Sequence, residues 1–205
     1  DDPYGASLAL QLRSELDGPM LARTILGTSV NLYRTSDGTP VALRNRCPHR
    51  GYPLSEGTLG PDDVITCGYH GFRFGPDGTC LSVPGQQAVP AHADVQTYPV
   101  VENGPFVWIW MGDPALADPA EIPAETGFAD PSFTFVPGHV VIDANHQLIA
   151  DNVLDLSHES FIHATKIGTR DVAETGITSR SDESRWLVEA SRIMPDAECP
   201  PTYRE

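Results

Sequence analysis

Asn45-Arg-Cys-Pro-His-Arg-Gly-Tyr-Pro-Leu-Ser55 and, after a loop, Cys67-Gly-Tyr-His-Gly71 decide how this chain is read. Each run supplies one thiol and one imidazole, as Cys47-x-His49 and as Cys67-x-x-His70. Two Cys and two His suit one zinc ion, but zinc fingers usually pair Cys with Cys in one arm and His with His in the other. Here both arms are mixed. Mixed arms suit a two-iron cluster in which one iron takes both Cys and the other both His. Four thiolates on a [2Fe–2S]²⁺ core give a formal charge of about −2, whereas two thiolates and two neutral imidazoles give about 0. The less negative site accepts an electron more readily. Gly51 and Gly71 follow the His-bearing segments and permit turns with positive φ.

The wider text, including Val83-Pro84-Gly85, resembles the Rieske family. The respiratory branch of that family carries a disulfide-forming Cys in each ligand loop. Tyr52 and Tyr69 stand at those positions here, so the chain resembles the oxygenase and ferredoxin branches. The resemblance implies that Pro84 belongs to a loop over the cluster; an ordinary Pro-Gly turn explains it equally well.

The surroundings of these arms read as antiparallel β structure. Ser29 to Arg34 and Pro40 to Arg44 flank Asp37-Gly38, a hairpin signal. Phe72 to Phe74 and Cys80 to Val83 flank Gly75-Pro-Asp-Gly78, and Tyr98 to Val101 and Phe106 to Met111 flank Glu102-Asn-Gly-Pro105. Trp108 and Trp110 share one strand face and read as packing residues. Residues 6–16 are expected to form a short helix within a lead of residues 1–18. A Rieske [2Fe–2S] domain is placed at 19–113 and a Pro-, Ala- and Asp-rich connector at 114–131. Residues 132–205 read as the first part of a catalytic domain, with strands at Phe133–Val136 and His139–Asp143, a helix from about Gln147 to Thr165, and a hairpin of Ile177–Arg180 with Arg185–Ile193. The expected class is therefore α+β: a small antiparallel β domain followed by an incomplete α+β domain of antiparallel sheet plus helix, helix-grip-like.

That helix carries the second constellation. With Asp155 at zero on a wheel of about 100° per residue, His158 lies near −60°, His163 near +80° and Asn152 near +60°. All four residues share one side, although the five-residue His spacing requires a local distortion or a helix end near His163. Two His and a carboxylate form the facial set that holds non-haem Fe(II) with positions open for O₂. Asn152, Asp155, His158 and His163 match the N-x-x-D-x-x-H-x-x-x-x-H segment of Rieske non-haem iron oxygenases, and the surrounding text most resembles the vanillate O-demethylase and dicamba monooxygenase branch. The resemblance implies that His158 and His163 are iron ligands. It makes Asp155 a bridge from His70 of a neighbouring subunit to His158, and Asn152 a polar neighbour of the iron. Asp155 and Asn152 are thus the expected catalytic positions. The family's third ligand is an Asp far downstream; Asp196 and Glu198 do not stand in its context. The expectation is a fragment of a longer protein or an incomplete reading frame.

Composition bounds the rest. The chain has 205 residues, is 40% hydrophobic and carries a net charge of −15. That charge argues against nucleic acid and anionic membranes as partners. No apolar run nears the roughly 20 residues of a membrane span. Cys80 and Cys199 are expected to be thiols rather than a disulfide, which fits a reducing, cytoplasmic setting. The overall expectation is the terminal oxygenase component of a homotrimer. A reductase using NAD(P)H, or a ferredoxin, would supply electrons, and the enzyme would hydroxylate or O-demethylate an aromatic substrate with O₂. The alternatives are a ferredoxin-type electron carrier needing only residues 19–112, an oxygenase lacking a complete iron site, and a non-catalytic zinc module.

Overall fold

The computed structural model describes residues 8–122, 130–136, 138, 140–185 and 187–203. The chain forms two compact units, residues 1–137 and 138–205.

Unit 1 is antiparallel throughout. Its strands are β1 (Leu8–Leu12), β2 (Leu21–Ile25), β3 (Thr28–Arg34), β4 (Pro40–Arg44), β5 (Thr58–Leu59), β6 (Ile65–Thr66), β7 (Arg73–Phe74), β8 (Cys80–Ser82), β9 (Thr97–Tyr98), β10 (Val100–Asn103) and β11 (Phe106–Trp110). They make three sheets, in the orders β1-β11-β10, β2-β3-β4-β9 and β5-β6-β7-β8. Strands β3 and β4 of the middle sheet bury side chains on both faces. Successive residues of a strand point to opposite faces, and Tyr33, Val41 and Leu43 join one core with Cys47, Cys67, Ile65 and Phe74. Their neighbours Leu32 and Ala42 join a second core with Val30, Val107, Ile109 and Tyr98. One strand pair therefore anchors the Cys-bearing loops on one side and the β10–β11 hairpin on the other.

The expected hairpins form, and two of them use one turn. In Thr35–Thr39 the Gly38 N–H donates to the Thr35 carbonyl (2.8 Å) and the Thr35 N–H to the Thr39 carbonyl (3.0 Å). Gly75–Thr79 repeats both bonds, each at 2.9 Å. Asp-Gly-Thr sets the turn in both cases, with Gly38 at φ +88° and Gly78 at φ +78°.

The helix expected at residues 6–16 is replaced by a strand and a short 3₁₀ turn, Arg13–Leu16. Leu8, Leu10 and Leu12 recur every second residue and stand opposite Trp110, Trp108 and Phe106 of β11. The available cross-strand partners outweigh the local preference of Leu and Ala for helix. Residues 1–7 of the lead and 123–129 of the connector lie outside the described residues.

Unit 2 contains α1 (His146–Leu154), α2 (Glu159–Ile162), α3 (Arg170–Glu174) and the hairpin β12 (Thr178–Asp182) with β13 (Leu187–Ser191). The strands expected at Phe133–Val136 and His139–Asp143 are absent among the described residues, and His139 lies outside them. Phe133, Val136, Val140 and Val141 are exposed there. Alternation alone builds no ladder without a neighbour to accept its hydrogen bonds. Among the described residues no helix is long and apolar enough to cross a membrane.

The β2–β3 turn departs from its preferred chemistry. Ile25 pairs with Thr28, so the loop is Leu26-Gly27, with φ +46° and +73°. Asn-Gly is the favoured pair for such a turn. Leu26 is largely exposed and loses little packing on replacement. Leu26→Asn should raise unfolding stability by roughly 0.5–1 kcal/mol, seen in urea titration as a higher midpoint with unchanged slope.

Candidate metal centres

The two Cys/His arms share one backbone frame. The Cys47 N–H donates to the Tyr52 carbonyl (2.8 Å), and the Gly51 N–H donates back to the Cys47 carbonyl (2.8 Å). In the second arm the Cys67 N–H donates to the Phe72 carbonyl (2.8 Å) and the Gly71 N–H to the Cys67 carbonyl (3.0 Å). Gly51 and Gly71 close these loops at φ +72° and +74°, a region that L side chains enter only at a cost. The loops differ by one residue in where the His falls, yet both begin on a buried Cys and carry an exposed His.

The donors thus fall into two pairs. Cys47 and Cys67 are 2% exposed and within thiol–thiol hydrogen-bonding reach. Burial pushes the Cys47 thiol up to about 11; the Cys67 sulfur pushes the same way, while the backbone N–H groups of His49 and Arg50 oppose it. Those N–H groups aim at sulfur, as donors to a thiolate do. The His49 and His70 rings lie 4.6 Å apart at the surface. Phe72 stacks on His49 at 4.9 Å and Tyr69 lies 3.9 Å from His70. Among the described residues no three His, Cys, Asp or Glu gather round a single ion position. Two inner sulfurs and two outer nitrogens fit a group that takes sulfur at one end and nitrogen at the other, rather than one zinc ion.

Two supports, Asn45 and Gly68, went unread in the sequence, and a third, Pro84, was read there as part of a covering loop. Asn45, 8% exposed, accepts the Ser55 N–H (2.8 Å) and donates to Ser55 Oγ (2.9 Å) and Ser29 Oγ (3.2 Å). It binds the approach to the first arm to strand β3 and to the 3₁₀ turn Leu54–Glu56, but a lone Asn near Cys carries no periodic signal. Gly68 lets Tyr52 lie close, since a Cβ there would meet the Tyr52 ring at 3.2 Å. A Cβ on Gly71 would meet Pro84 Cγ at 3.1 Å, so Pro84 packs against the second arm.

In unit 2 the expected helix Gln147–Thr165 is broken at Asp155. Asn145 caps α1 through Gln147 N–H (2.9 Å), and α1 ends where Asp155 turns to φ −110°, ψ 90°. Asp155 then caps a 3₁₀ turn, Leu156–His158, which leads into α2. Its Oδ1 accepts from Ser157 N–H (3.0 Å) and Ser157 Oγ (2.5 Å). A short acidic side chain that caps the following turn competes with helix continuation. The single helical wheel across Asp155 is therefore replaced by two segments. His163 caps α2 with φ −110°, ψ 18°, and its ring lies 5.5 Å from that of His158. His158 Nδ1 lies 2.7 Å from the Asp155 backbone carbonyl, as a donor. That bond fixes the tautomer and leaves Nε2 with a lone pair for a metal. The Asp155 carboxylate binds Ser157 within this chain, not His158. Asn152 sits in α1, exposed, with no hydrogen bond to either imidazole.

The turn after His163 depends on Gly168, whose Cβ equivalent would lie 1.8 Å from the Glu159 carbonyl. The His163 carbonyl accepts from Lys166, Ile167 and Gly168 N–H at 2.9, 3.2 and 3.0 Å. Ser160 Oγ joins α2 to the start of α3 by donating to the Thr169 carbonyl (2.5 Å) and accepting from Ala173 N–H (3.1 Å).

Residues 7–99 match the family described as "Rieske [2Fe-2S] domain", and residues 142–205 match "Vanillate O-demethylase oxygenase C-terminal domain". The chain belongs to the Rieske oxygenase family. It is 44% identical over 174 residues to the iron–sulfur subunit of a toluene-4-sulfonate monooxygenase system from Comamonas testosteroni, covering 81% of this chain and 50% of that one. It is 43% identical over 159 residues to the oxygenase component of dicamba O-demethylase from Stenotrophomonas maltophilia, covering 77% and 47%. The crystal structure of dicamba monooxygenase bound to dicamba aligns with a TM-score of 0.84 at 36% identity, over 94% of this chain and 58% of that one. The chain spans about half the length of the curated relatives it matches. The vanillate and dicamba relationship read from the motifs is the one these matches show, and the Rieske oxygenase chain is an antiparallel β domain followed by a small mixed α/β portion.

The Asp155 carboxyl sits below the usual carboxylate range, chiefly through the Ser157 hydroxyl and then through the Ser157 N–H. A lowered folded pKa contributes stability above the unfolded value, lost as pH falls through the folded one. Ser157→Ala should move the Asp155 midpoint upward in ¹³C NMR titration of the carboxyl; an unchanged midpoint would show that the hydroxyl bond does not set it.

Proposed function

We propose that Cys47, His49, Cys67 and His70 hold a Rieske [2Fe–2S] cluster, both thiolates on one iron and both imidazoles on the other. The observation that carries this reading is the shared loop frame, with its sulfurs inside the core and its imidazoles at the surface. His158 and His163 supply two ligands to a mononuclear non-haem Fe(II), a site whose facial set takes one carboxylate as its third ligand. When bound, the cluster supplies one-electron transfer and the iron supplies O₂ activation.

The chain's own residues then have distinct tasks. The buried cysteines keep solvent from the sulfur end. The exposed imidazoles of His49 and His70 bring the other end to the surface. The Asp155 backbone orients His158, and the Asp155 carboxylate, held by Ser157 through Oδ1, offers Oδ2 to an imidazole from elsewhere. That imidazole is His70 of a neighbouring subunit, an exchange that closes most simply as a head-to-tail homotrimer. Asn152 serves as a polar neighbour of the iron. The domains run as read from the sequence: the cluster domain at 19–113, with β1 completing its sheet, the connector at 114–131, and the iron domain from 132.

The protein is a cytoplasmic terminal oxygenase component, fed by an NAD(P)H-dependent reductase or a ferredoxin. It hydroxylates or O-demethylates an aromatic acid, in keeping with relatives named for toluene-4-sulfonate and dicamba. The pair of imidazoles beside Asp155 argues against a simple electron carrier, which needs no second metal site.

Reconstituted protein should contain about two acid-labile sulfides per chain, with iron. Zinc without sulfide would overturn the cluster. With Fe(II), a reductase and NADH, a panel of methoxy- and methyl-substituted aromatic acids should yield formaldehyde or hydroxylated product. A loaded cluster with no turnover would favour the carrier or an oxygenase lacking a complete iron site. Asp155→Asn should keep the cluster spectrum and lower coupled turnover by roughly 10–100-fold; unchanged turnover removes the bridging role.

A further inference from the structure

The arginines of unit 1 from Arg23 onward divide into two groups. Arg23, Arg34 and Arg73 reach Glu15, Glu102 and Asp62 at 3.4, 2.6 and 2.6 Å. Arg44, Arg46 and Arg50 are exposed, and none of them has a carboxylate partner among the described residues. All three lie on the approach to the first arm or within it. In a chain of net charge −15, thirteen basic residues face twenty-eight acidic ones, so three guanidiniums within residues 44–50, none with a carboxylate partner among the described residues, are a local reversal of sign.

The patch has shape as well as charge. Arg44 and Arg46 line one open recess of about 240 Å³ together with Thr28, Ser29 and Gly51. Arg46 lies across Gly51, the residue that closes the first arm, where a Cβ would meet its guanidinium at 3.1 Å. Arg50 follows the exposed His49 directly. Two planar forks and two hydroxyl-bearing residues suit carboxylate groups.

We propose that the face carrying Arg44, Arg46 and Arg50 is the docking surface for the acidic face of the electron-donating protein. This rests on the reading of the first arm as part of a cluster that receives electrons from a separate component. A strongly acidic protein repels an acidic partner over most of its surface. It admits that partner only where the sign is reversed, and here the reversal adjoins an exposed imidazole. Charge complementarity of this kind sets orientation and encounter rate. Nucleic acid and anionic membrane call for a wider basic footprint than three arginines in a −15 chain.

The test is titration calorimetry of the full cluster-loaded chain with an oxidised, acidic plant-type [2Fe–2S] ferredoxin, both proteins oxidised so that no electron moves. Affinity should fall as salt rises from ~10 to ~200 mM. The triple variant Arg44→Gln, Arg46→Gln, Arg50→Gln should bind at least about tenfold more weakly and lose most of the salt dependence. The corresponding triple Lys variant should stay within about threefold of the parent, since charge rather than fork geometry dominates. Unchanged binding in the Gln variant, or salt-insensitive binding in the parent, overturns the proposal. So does salt-sensitive self-association of the parent that the Gln variant abolishes, because the patch would then serve a second copy. The visible spectrum and reduction by dithionite should be the same in parent and variant. If the triple variant does not fold, Arg44→Gln with Arg50→Gln keeps Arg46 on Gly51 and should still weaken binding several-fold. A parent that forms no cluster defeats the reading of function, while binding by the apo chain still decides the surface.

Discussion

The paired loop closures at Cys47–Tyr52 and Cys67–Phe72 are the constraint on which the rest of unit 1 depends. Each closure spends a Cys N–H on a carbonyl five residues on and takes a Gly N–H in return. That exchange turns the chain so that sulfur points into the core and the imidazole remains outside. It works only because Gly51 and Gly71 take positive φ at no steric cost. The core then fixes the sulfurs: Tyr33, Leu43, Ile65 and Phe74 pack in the cluster that contains Cys47 and Cys67. Strands β3 and β4 bury side chains on both faces, so a shift in either would disturb the Cys loops and the β10–β11 side together.

Unit 2 shows the opposite use of a local interaction. Asp155 interrupts a helix instead of stabilising one. Its carboxylate holds Ser157 and its carbonyl holds His158, so one residue ends α1, starts the next turn and orients an imidazole. The five-residue interval between His158 and His163 would splay the rings on a straight helix. The 3₁₀ turn and the non-helical cap at His163 bring them to 5.5 Å. Gly168 and Ser160 then hold the following chain against α2. A hydrogen-bonded break at a metal-ligand segment is the kind of local irregularity that functional sites retain.

The arms, the hairpins and the His pair were legible because their signals are short-range. Asp-Gly-Thr fixes a turn wherever it occurs, and Cys-x-His with Cys-x-x-His fixes the donor types. Leu8 to Leu12 misled because Leu and Ala favour helix while their alternation favours a strand, and only β11 settles the matter. Phe133–Val136 misled in the reverse direction, being strand-like text with no strand beside it. Asn45 escaped notice because its value lies in Ser29 and Ser55, distant in sequence and adjacent in space.

The sequence by itself determined the chemistry: two thiols, two imidazoles, a second pair of imidazoles around an Asp, and a family to hold them. Those are matters of residue type and spacing, and folding cannot change them. The tertiary structure alone decided which way each donor faces, where the helix breaks, and which of the described arginines pair with a carboxylate. Orientation and pairing depend on what the rest of the chain brings alongside, and a carboxylate placed near Arg34 but not near Arg44 is a fact of packing that no local pattern encodes.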